Sequence, residues 1–231
     1  MSDVSLLDVG GPVMIGPSSS HTLGALRIGR FGNYFIGKTP DKAEFFLHQS
    51  FGQTYMGHGT DRALLGGVMG FGDADRAVKN AFALALSRGL DFSFQQEDLG
   101  EVHPNTVKML LYDGATPQEI WASSVGAGMI RIIKINGVDC DLSGAYPTLI
   151  LVNKDTPRAL GMILEKIDAN VANLYLRRIN KLLAKALTIV ELDSDLTLRS
   201  LLEIKSLSVI QEAYYVKSLS APIQGKGGEG R

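Results

Sequence analysis

The sequence predicts an α+β protein built from two successive parts. Glycine supplies 26 of the 231 residues, and most of it lies before residue 145. From Tyr146 onward ordinary amphipathic segments follow in the order strand, helix, strand, strand, helix, strand. We therefore predict a mixed α+β domain over 1–145, a second domain over 146–221 and a flexible tail of glycine and charge over 222–231.

The composition is that of an ordinary globular protein, with 45% hydrophobic and 20% charged residues. A formal net charge of −1 gives no electrostatic reason to expect nucleic acid or an anionic membrane as a partner. Cys140 is the only cysteine, which excludes an intrachain disulfide and an iron–sulfur cluster held by this chain alone. Because no long apolar run and no signal-peptide pattern are present, we expect a cytoplasmic protein.

The first part is predicted to begin with a helix over 18–37, "SSSHTLGALRIGRFGNYFIG", where apolar residues recur at helical spacing. Gly24, Gly29 and Gly32 have poor helix propensity, so we expect them to allow close packing against a neighbouring element. The segment "KAEFFLHQSF", 42–51, is predicted to be a strand.

Two further helices are predicted in the first part. "GTDRALLGGVMGF", 59–71, is a short helix with Thr60 as its N-cap and Asp61 near the positive end of its dipole. "DADRAVKNAFALALSRG", 73–89, has a clear apolar face and ends at Gly89.

Strands fill the rest of the first part. They are predicted at 91–96, 106–114, 119–125 and in the two arms of a hairpin within 129–142. Asn136-Gly137 supplies the hairpin turn, and Gly126-Ala127-Gly128 is interpreted as a bulge.

The second part is predicted to form a βαββαβ unit. The strands are 148–155, 171–180, 186–194 and 209–219, and the helices are 156–169 and 196–207. Thr156 is predicted as the N-cap of the first helix, with Pro157 at its first position. This order predicts a four-stranded antiparallel sheet with two helices on one face, the ferredoxin-like arrangement. The other face must be covered, and we expect a second copy of the domain to cover it.

The segment "GPSSSHT" combines three serines, a histidine and a threonine at the start of the first helix. A helix N-terminus has unpaired N–H groups and partial positive charge, so hydroxyls added there suit a carboxylate or phosphate. A helix cap needs only one serine, so three serines exceed the structural requirement. The alternative interpretation is a redundant cap beside a surface histidine.

Two more segments could contribute side chains to a site. In "GHGTDR" the flanking glycines can present the His58 imidazole as an acid or base, unless it is simply a loop histidine before a capped helix. In "HPNT", His103 and Asn105 flank a proline that favours an extended turn, which can equally be structural. His48 is expected to be packed or solvated. No dinucleotide-binding, Walker A or metal-ligand spacing is present.

These motifs occur in one order, "GPSSSHT", "GHGTDRALLGG", "HPNT" and "GAGMIRIIKING", and are followed by the βαββαβ unit. In this order the chain resembles the β chain of the bacterial iron–sulfur-dependent L-serine dehydratases (L-serine ammonia-lyases), over essentially its whole length except the tail. The resemblance implies an allosteric-substrate-binding-like domain over 1–145 and an ACT domain over 146–221. It also implies conversion of L-serine to pyruvate and ammonia.

In the family that the chain resembles, a 4Fe-4S cluster is held by cysteines of a separate α chain or of a fused C-terminal domain. One iron with an open coordination position binds the leaving hydroxyl and the carboxylate. The resemblance therefore implies that this chain holds no metal and completes the active site of an α subunit. The resemblance also suggests a monovalent cation as a further cofactor and self-association of the chain through the ACT domain.

The resemblance also suggests roles for individual residues. His58 is predicted to transfer the proton, with Asp61 orienting it or the substrate amine, and His21 is the alternative base. The predicted substrate-binding residues are Ser18, Ser19, Ser20, Thr22, Gly59, Thr60, His103 and Asn105.

Departures from the ACT pattern argue against amino-acid binding by the second domain, so a purely structural, dimerising role is at least as well supported. Arg158 stands where the turn after the first strand commonly has glycine, and "KLLAK" replaces the usual glycines between strands two and three. The competing function is a non-catalytic, effector-binding regulatory subunit. A stand-alone hydrolase with a Ser-His pair is a third, weaker hypothesis.

Overall fold

The computed structural model of the chain describes residues 19–219. Ser18 and the predicted tail lie outside the described residues, and only the backbone of Ser19 and Ser20 is described. Within the described range, no helix combines the length and the apolar character needed to cross a membrane.

The described residues form six α-helices and ten strands in two sheets, which confirms the predicted α+β class. The helices are α1 (Ala25–Ile36), α2 (Gln49–His58), α3 (Thr60–Val68), α4 (Ala81–Ser87), α5 (Ala159–Leu164) and α6 (Leu198–Ser206). A π-helical turn, Ser19–Gly24, leads into α1, and a 3-10 turn, Arg76–Asn80, precedes α4. The strands of the first sheet are β1 (Lys42–Leu47), β2 (Asp91–Gln96), β3 (Thr106–Tyr112), β4 (Pro117–Gly126), β5 (Met129–Ile135) and β6 (Val138–Leu142). Those of the second are β7 (Thr148–Lys154), β8 (Val171–Asn180), β9 (Lys185–Leu192) and β10 (Ile210–Val216).

The first sheet has six strands in the order β2-β1-β3-β4-β5-β6. β1 and β2 are parallel and all the other neighbours are antiparallel. A parallel pair needs a crossover connection, and α2, α3 and α4 lie in the chain between β1 and β2. Hydrophobic residues of α1, α3 and the sheet form one buried core.

The glycines of the first helix allow close contacts, as predicted. A Cβ on Gly29 would lie 2.2 Å from the carbonyl oxygen of Leu64 in α3, and a Cβ on Gly32 would lie 2.6 Å from Leu111 Cδ1 in β3. From the α3 side, a Cβ on Gly67 would lie 2.1 Å from the carbonyl oxygen of Leu26. α1 and α3 therefore cross with their backbones in contact.

The second sheet has four antiparallel strands in the order β10-β7-β9-β8. Ile163 of α5 and Ile204 of α6 share a buried cluster with Leu149 and Leu151 of β7 and Val190 of β9. Both helices therefore lie on one face of the sheet, and the predicted βαββαβ order is confirmed.

The opposite face of the second sheet is covered by the first part of the same chain, so the prediction that a second copy covers it is wrong. The ring of Tyr214 in β10 lies 4.7 Å from that of Phe35 in α1. Arg30 of α1 donates a 2.8 Å hydrogen bond to the carbonyl oxygen of Leu219. Inward-facing residues of β7 and β9 belong to the same core as Phe35.

Two element boundaries in the first part differ from the prediction. The strand predicted over 42–51 ends at Leu47, and the chain continues as helix α2. The helix predicted over 73–89 begins with the 3-10 turn, where Asp75 caps the N–H of Ala77, and only α4 is α-helical. Gly89, with φ of 72°, follows that helix as predicted.

Two predicted caps and one predicted bulge are also wrong. Thr60 is the first residue of α3 and makes no capping bond, because Gly59 occupies the cap position with φ of 71°. Helix α5 begins only after Arg158, which adopts a left-handed conformation with φ of 71°, so Thr156 is not its N-cap. Ala127 and Gly128 form a tight turn between β4 and β5, and the bulge lies just before it, at Val125.

Candidate functional site

The corner between α2 and α3 presents the His58 imidazole to solvent. His58 is the last residue of α2 and is exposed. The N–H of Gly59 closes the helix on the carbonyl oxygen of Tyr55, and its positive φ turns the chain straight into α3. Glycine adopts this conformation without a steric cost, so the flanking glycine has the effect predicted from the motif.

His21, in the π-helical turn, lies against His58. The two ring centroids are 4.9 Å apart and the rings are nearly perpendicular, at 80°. Phe51 of α2 contacts the His21 ring edge-on at 5.6 Å, and Nε2 of His21 is 3.2 Å from Oγ of Ser50. The structure therefore brings the two predicted histidines into one cluster.

The surroundings of His21 keep its imidazole neutral near pH 7. Burial lowers the pKa of His21 from its ordinary value of 6.5, and the neighbouring His58 lowers this pKa further. Two imidazoles at this distance cannot both become charged easily.

The π-helical turn is connected directly to the end of α2. Thr22 is 8% exposed, and its Oγ1 donates a 3.3 Å hydrogen bond to the carbonyl oxygen of His58. Ser19 and Ser20 are the first two residues of the same turn. Single π-helical turns are rare and occur frequently at functional sites. The hydroxyl-rich helix start and the glycine-flanked imidazole thus meet at one place.

Asp61 lies in the first turn of α3 and is 6% exposed. Burial raises the pKa of its carboxyl group, and the hydrogen bond from the backbone N–H of Arg62, at 2.7 Å, opposes that rise. Within residues 19–219 the carboxylate makes no hydrogen bond to His58. Its contacts therefore give no support to the prediction that Asp61 orients His58.

Three buried polar atoms near this cluster have no hydrogen-bond partner within the described part of the chain. They are Oγ1 of Thr60, Oδ1 of Asn105 and Oγ of Ser124. A buried polar atom without a partner costs about 1–3 kcal/mol, so such atoms are candidates for contacts with a ligand. Ser124 packs against the π-helical turn, because a Cβ on Gly24 would lie 2.0 Å from its Oγ.

The "HPNT" loop borders the same region. The N–H of Phe51 donates to the carbonyl oxygen of Pro104 at 3.4 Å, and that of Ser124 donates to the carbonyl oxygen of Asn105 at 2.9 Å. His103 is exposed, and its Nδ1 accepts the N–H of Asn105 at 3.1 Å. The loop therefore contacts Phe51 and Ser124, which border the His21 cluster.

Sequence reasoning missed Ser50, Phe51 and Ser124. Ser50 and Phe51 were assigned to a strand, although they lie on α2 and contact His21. Ser124 lies on β4, and nothing in its local pattern distinguishes it from a structural strand serine. His48 is packed, as expected, because it is 1% exposed and its Nδ1 accepts the N–H of Leu99 at 3.1 Å.

The donors on this chain do not fit an iron–sulfur cluster. Among residues 19–219, no group of three or more His, Cys, Asp or Glu could hold a metal ion. The half-buried thiol of Cys140 lies 3.6 Å from the carbonyl oxygen of Ile132. Burial raises the pKa of that thiol to about 12, which disfavours the thiolate that a cluster requires.

Comparison with known proteins gives consistent results. A family model described as "Serine dehydratase beta chain" matches residues 5–86. The Bacillus subtilis (strain 168) protein named "Probable L-serine dehydratase, beta chain" is 38% identical over 213 residues, which cover 90% of this chain and 96% of that protein. The L-serine dehydratase beta chain of Peptoniphilus asaccharolyticus is 38% identical over 205 residues, 85% of this chain and 90% of that protein. These similarities confirm the resemblance carried by the four motifs.

Proposed function

The chain belongs to the serine dehydratase beta chain family, and from this premise we propose that it is the β subunit of an L-serine dehydratase. Such an enzyme converts L-serine to pyruvate and ammonia. The names of the relatives imply a companion α chain, with which this chain would form the active enzyme. The observation that carries the proposal for the site is the 4.9 Å contact between the His21 and His58 imidazoles at the hydroxyl-rich helix start.

Elimination of water from L-serine needs a base for the α-proton. His58 is the proposed base, because its imidazole is exposed at the end of α2 and accessible to a substrate held by a second subunit. His21 would remain neutral beside it and limit the build-up of a second positive charge. If His58 influences only the charge of His21 and does not contact the substrate, His21 is the alternative base.

The helix start is the proposed site for the substrate carboxylate. Ser19 and Ser20 begin the π-helical turn, and the first N–H groups of a helix lack partners within the helix, so they suit an anion. Thr22 connects that turn to His58. Thr60 and Asn105 would supply polar contacts through their unpartnered oxygens. Other proposed contacts are Gly59 and Ser18 for the substrate carboxylate, His103 at the rim and Asp61 for the substrate amine.

The iron–sulfur cluster implied by the family needs cysteine ligands that this chain does not have, so we propose that the α subunit holds a 4Fe-4S cluster. The part of the mechanism that this chain performs is then limited to binding the carboxylate, orienting the amine and moving the α-proton. A monovalent cation remains a further predicted cofactor.

For the domains, we propose an allosteric-substrate-binding-like unit over 1–145 and an ACT unit over 146–221. Self-association through the second unit is proposed at the edge strand β8, which pairs with β9 on one side only. Leucine and isoleucine side chains of β8 and of the loop after it are exposed: Leu174, Leu176, Ile179, Leu182 and Leu183. A strand edge with apolar side chains is suited to pairing with another copy of itself.

The proposal is tested with the His58→Ala chain, reconstituted anaerobically with the α subunit and assayed for pyruvate formed from L-serine. Loss of the base should lower kcat by about 10²–10⁴-fold, while the absorbance of the iron–sulfur cluster is retained. Met56→Ala is the matched control, because Met56 is 74% exposed on the same helix.

Normal turnover by the His58→Ala enzyme would contradict the proposed base. Full turnover by an α subunit without this chain would instead identify the chain as a non-catalytic, effector-binding regulatory subunit.

A further inference from the structure

A cavity of about 520 Å³ opens between the first sheet and the second sheet. Arg27 of α1, Arg131 of β5 and Asp141 of β6 line it from the first part, and Asn173 of β8 and Glu191 of β9 line it from the second. None of the residues that line it belongs to the His21–His58 cluster.

Glu191 is the unusual residue of this cavity. It is 1% exposed, and one of its carboxylate oxygens accepts the Asn173 side-chain N–H at 2.9 Å. The other oxygen, Oε1, has no hydrogen-bond partner among residues 19–219. A buried carboxylate is costly unless it is paired, so one side of Glu191 lacks the partner that its burial requires.

The other charged groups of the cavity are already paired. Arg27 forms an ion pair with Asp73 at 2.7 Å, and its Nη1 donates to the carbonyl oxygen of Gly128. Arg131 pairs with Asp141 through two parallel hydrogen bonds. Glu191 forms no ion pair with any residue in the described range. The cavity is therefore complementary to a ligand that brings one positive charge.

The chemistry of the donors favours a protonated amine over a metal ion. A hard cation such as Ca²⁺ needs six or more oxygen ligands, whereas the nearest neighbour of Glu191 is an amide that donates a hydrogen bond to it. A primary ammonium carries three N–H donors on one positive charge. It can therefore pair with the Glu191 carboxylate, which lacks an ion-pair partner among the described residues.

We propose that this cavity binds a small molecule through its protonated primary amine, which donates to the Glu191 carboxylate. The binding energy comes from a charge-assisted hydrogen bond in a place shielded from water. Consistent with this, burial raises the pKa of Glu191, the hydrogen bond from Asn173 opposes that rise and the nearby Asp141 adds to it. A cation beside Glu191 would relieve the cost of its charged form.

The test uses two ligands that differ only in this group, L-alanine and L-lactate, which carry an ammonium and a hydroxyl at the same carbon. Binding to the full chain is measured by titration calorimetry. The chain carries His58→Ala, so that binding at the proposed active site contributes less. We expect L-alanine to bind and L-lactate not to bind. Equal affinity for the two ligands, or no binding of L-alanine, would overturn the proposal.

The second arm adds Glu191→Gln to the same chain. The amide keeps the shape of the side chain and removes its charge, so the affinity for L-alanine should fall at least about tenfold. Asp139→Asn is the matched control, because Asp139 pairs with Arg177 and Lys134 and does not line the cavity. Unchanged affinity in the Glu191→Gln chain would also overturn the proposal. Both arms measure binding without turnover. The second arm separates this cavity from the proposed active site, where Asp61 is proposed to bind the substrate amine, because Glu191 lies outside that site.

Discussion

The two parts of the molecule pack their helices in different ways. In the first part α1 and α3 meet backbone to backbone, because Gly29 and Gly67 leave no side chain between them. In the second part α5 and α6 rest on the sheet through Ile163 and Ile204, and Gly161 of α5 has no atom within 4 Å of its missing Cβ. Side-chain packing tolerates small shifts better than a backbone contact does.

This difference matters because the candidate site depends on the close contact. The turn that carries His21 leads directly into α1, and His58 with Gly59 leads directly into α3. The crossing of these two helices therefore determines the distance between the two imidazoles. Among the described residues of the second part, Gly161 makes no comparable backbone contact.

The largest expected effect comes from adding one methyl group to the backbone contact. In Gly67→Ala the new Cβ would lie 2.1 Å from the carbonyl oxygen of Leu26, so α1 and α3 must separate. We expect the free energy of unfolding to fall by about 3 kcal/mol, at the upper end of the cost of overpacking. Urea denaturation measures this loss, and the pyruvate assay should show that turnover falls with it.

Gly161→Ala is the matched control in the second part. Its Cβ would meet no atom within 4 Å, and alanine favours a helix interior over glycine by roughly 0.5–1 kcal/mol. This variant should therefore be slightly more stable than the wild-type chain. If both alanine variants shift the urea midpoint in the same direction, the proposed difference between the two parts is wrong.

The second part could be predicted almost completely from its pattern. The strands β7 and β9 are near-continuous apolar runs, and Thr197, directly before α6, caps the N–H of Ser200. In these elements the local conformational preference and the tertiary packing agree, so the spacing of apolar residues is sufficient to predict them. Both ends of α5 differ from the prediction. The helix begins after Arg158, which adopts a left-handed conformation in which non-glycine residues are uncommon, and it ends at Leu164 instead of residue 169.

The first part was harder to predict because its site elements lack such a pattern. Helix α2 contains Gly52 and Gly57 and buries only two residues, so neither propensity nor an apolar stripe identifies it. It is held by tertiary contacts, such as the hydrogen bond that the side chain of Gln96 donates to the carbonyl oxygen of Gly52. The motifs predicted that the helix start with His21 and Thr22 meets His58. The contacts of Ser50 and Ser124 depend on a helix and a strand that approach only in three dimensions.

A second prediction concerns the exposed edge of the second part. Leu176 of β8 is 46% exposed on a strand with a free edge. Leu176→Lys should prevent pairing of two copies, because a charge at the edge opposes strand addition. Light scattering after gel filtration should show about half the mass of the wild-type species. Leu86→Lys is the control, since Leu86 is 71% exposed on α4 in the first part and should leave the mass unchanged. If the Leu176→Lys chain keeps its mass, β8 is not the self-association edge.

The smallest expected effect is a change in the pKa of His21, and it tests the coupling that the helix crossing imposes. In His58→Ala the pKa of His21 should rise, because the neighbouring charge is removed, but it should stay below 6.5, because burial is the larger cause of its depression. An NMR titration of the His21 ring measures its pKa in the wild-type chain and in the His58→Ala chain.

The same shift links stability to pH. Since the folded chain holds the His21 proton less tightly than the unfolded chain does, the free energy of unfolding should decrease as the pH falls below about 6.5. That decrease should be smaller in His58→Ala than in the wild-type chain. A His21 pKa that does not respond to His58→Ala would mean that the two imidazoles, although 4.9 Å apart, titrate independently. The contact between α1 and α3 would then position the two histidines without coupling their charges.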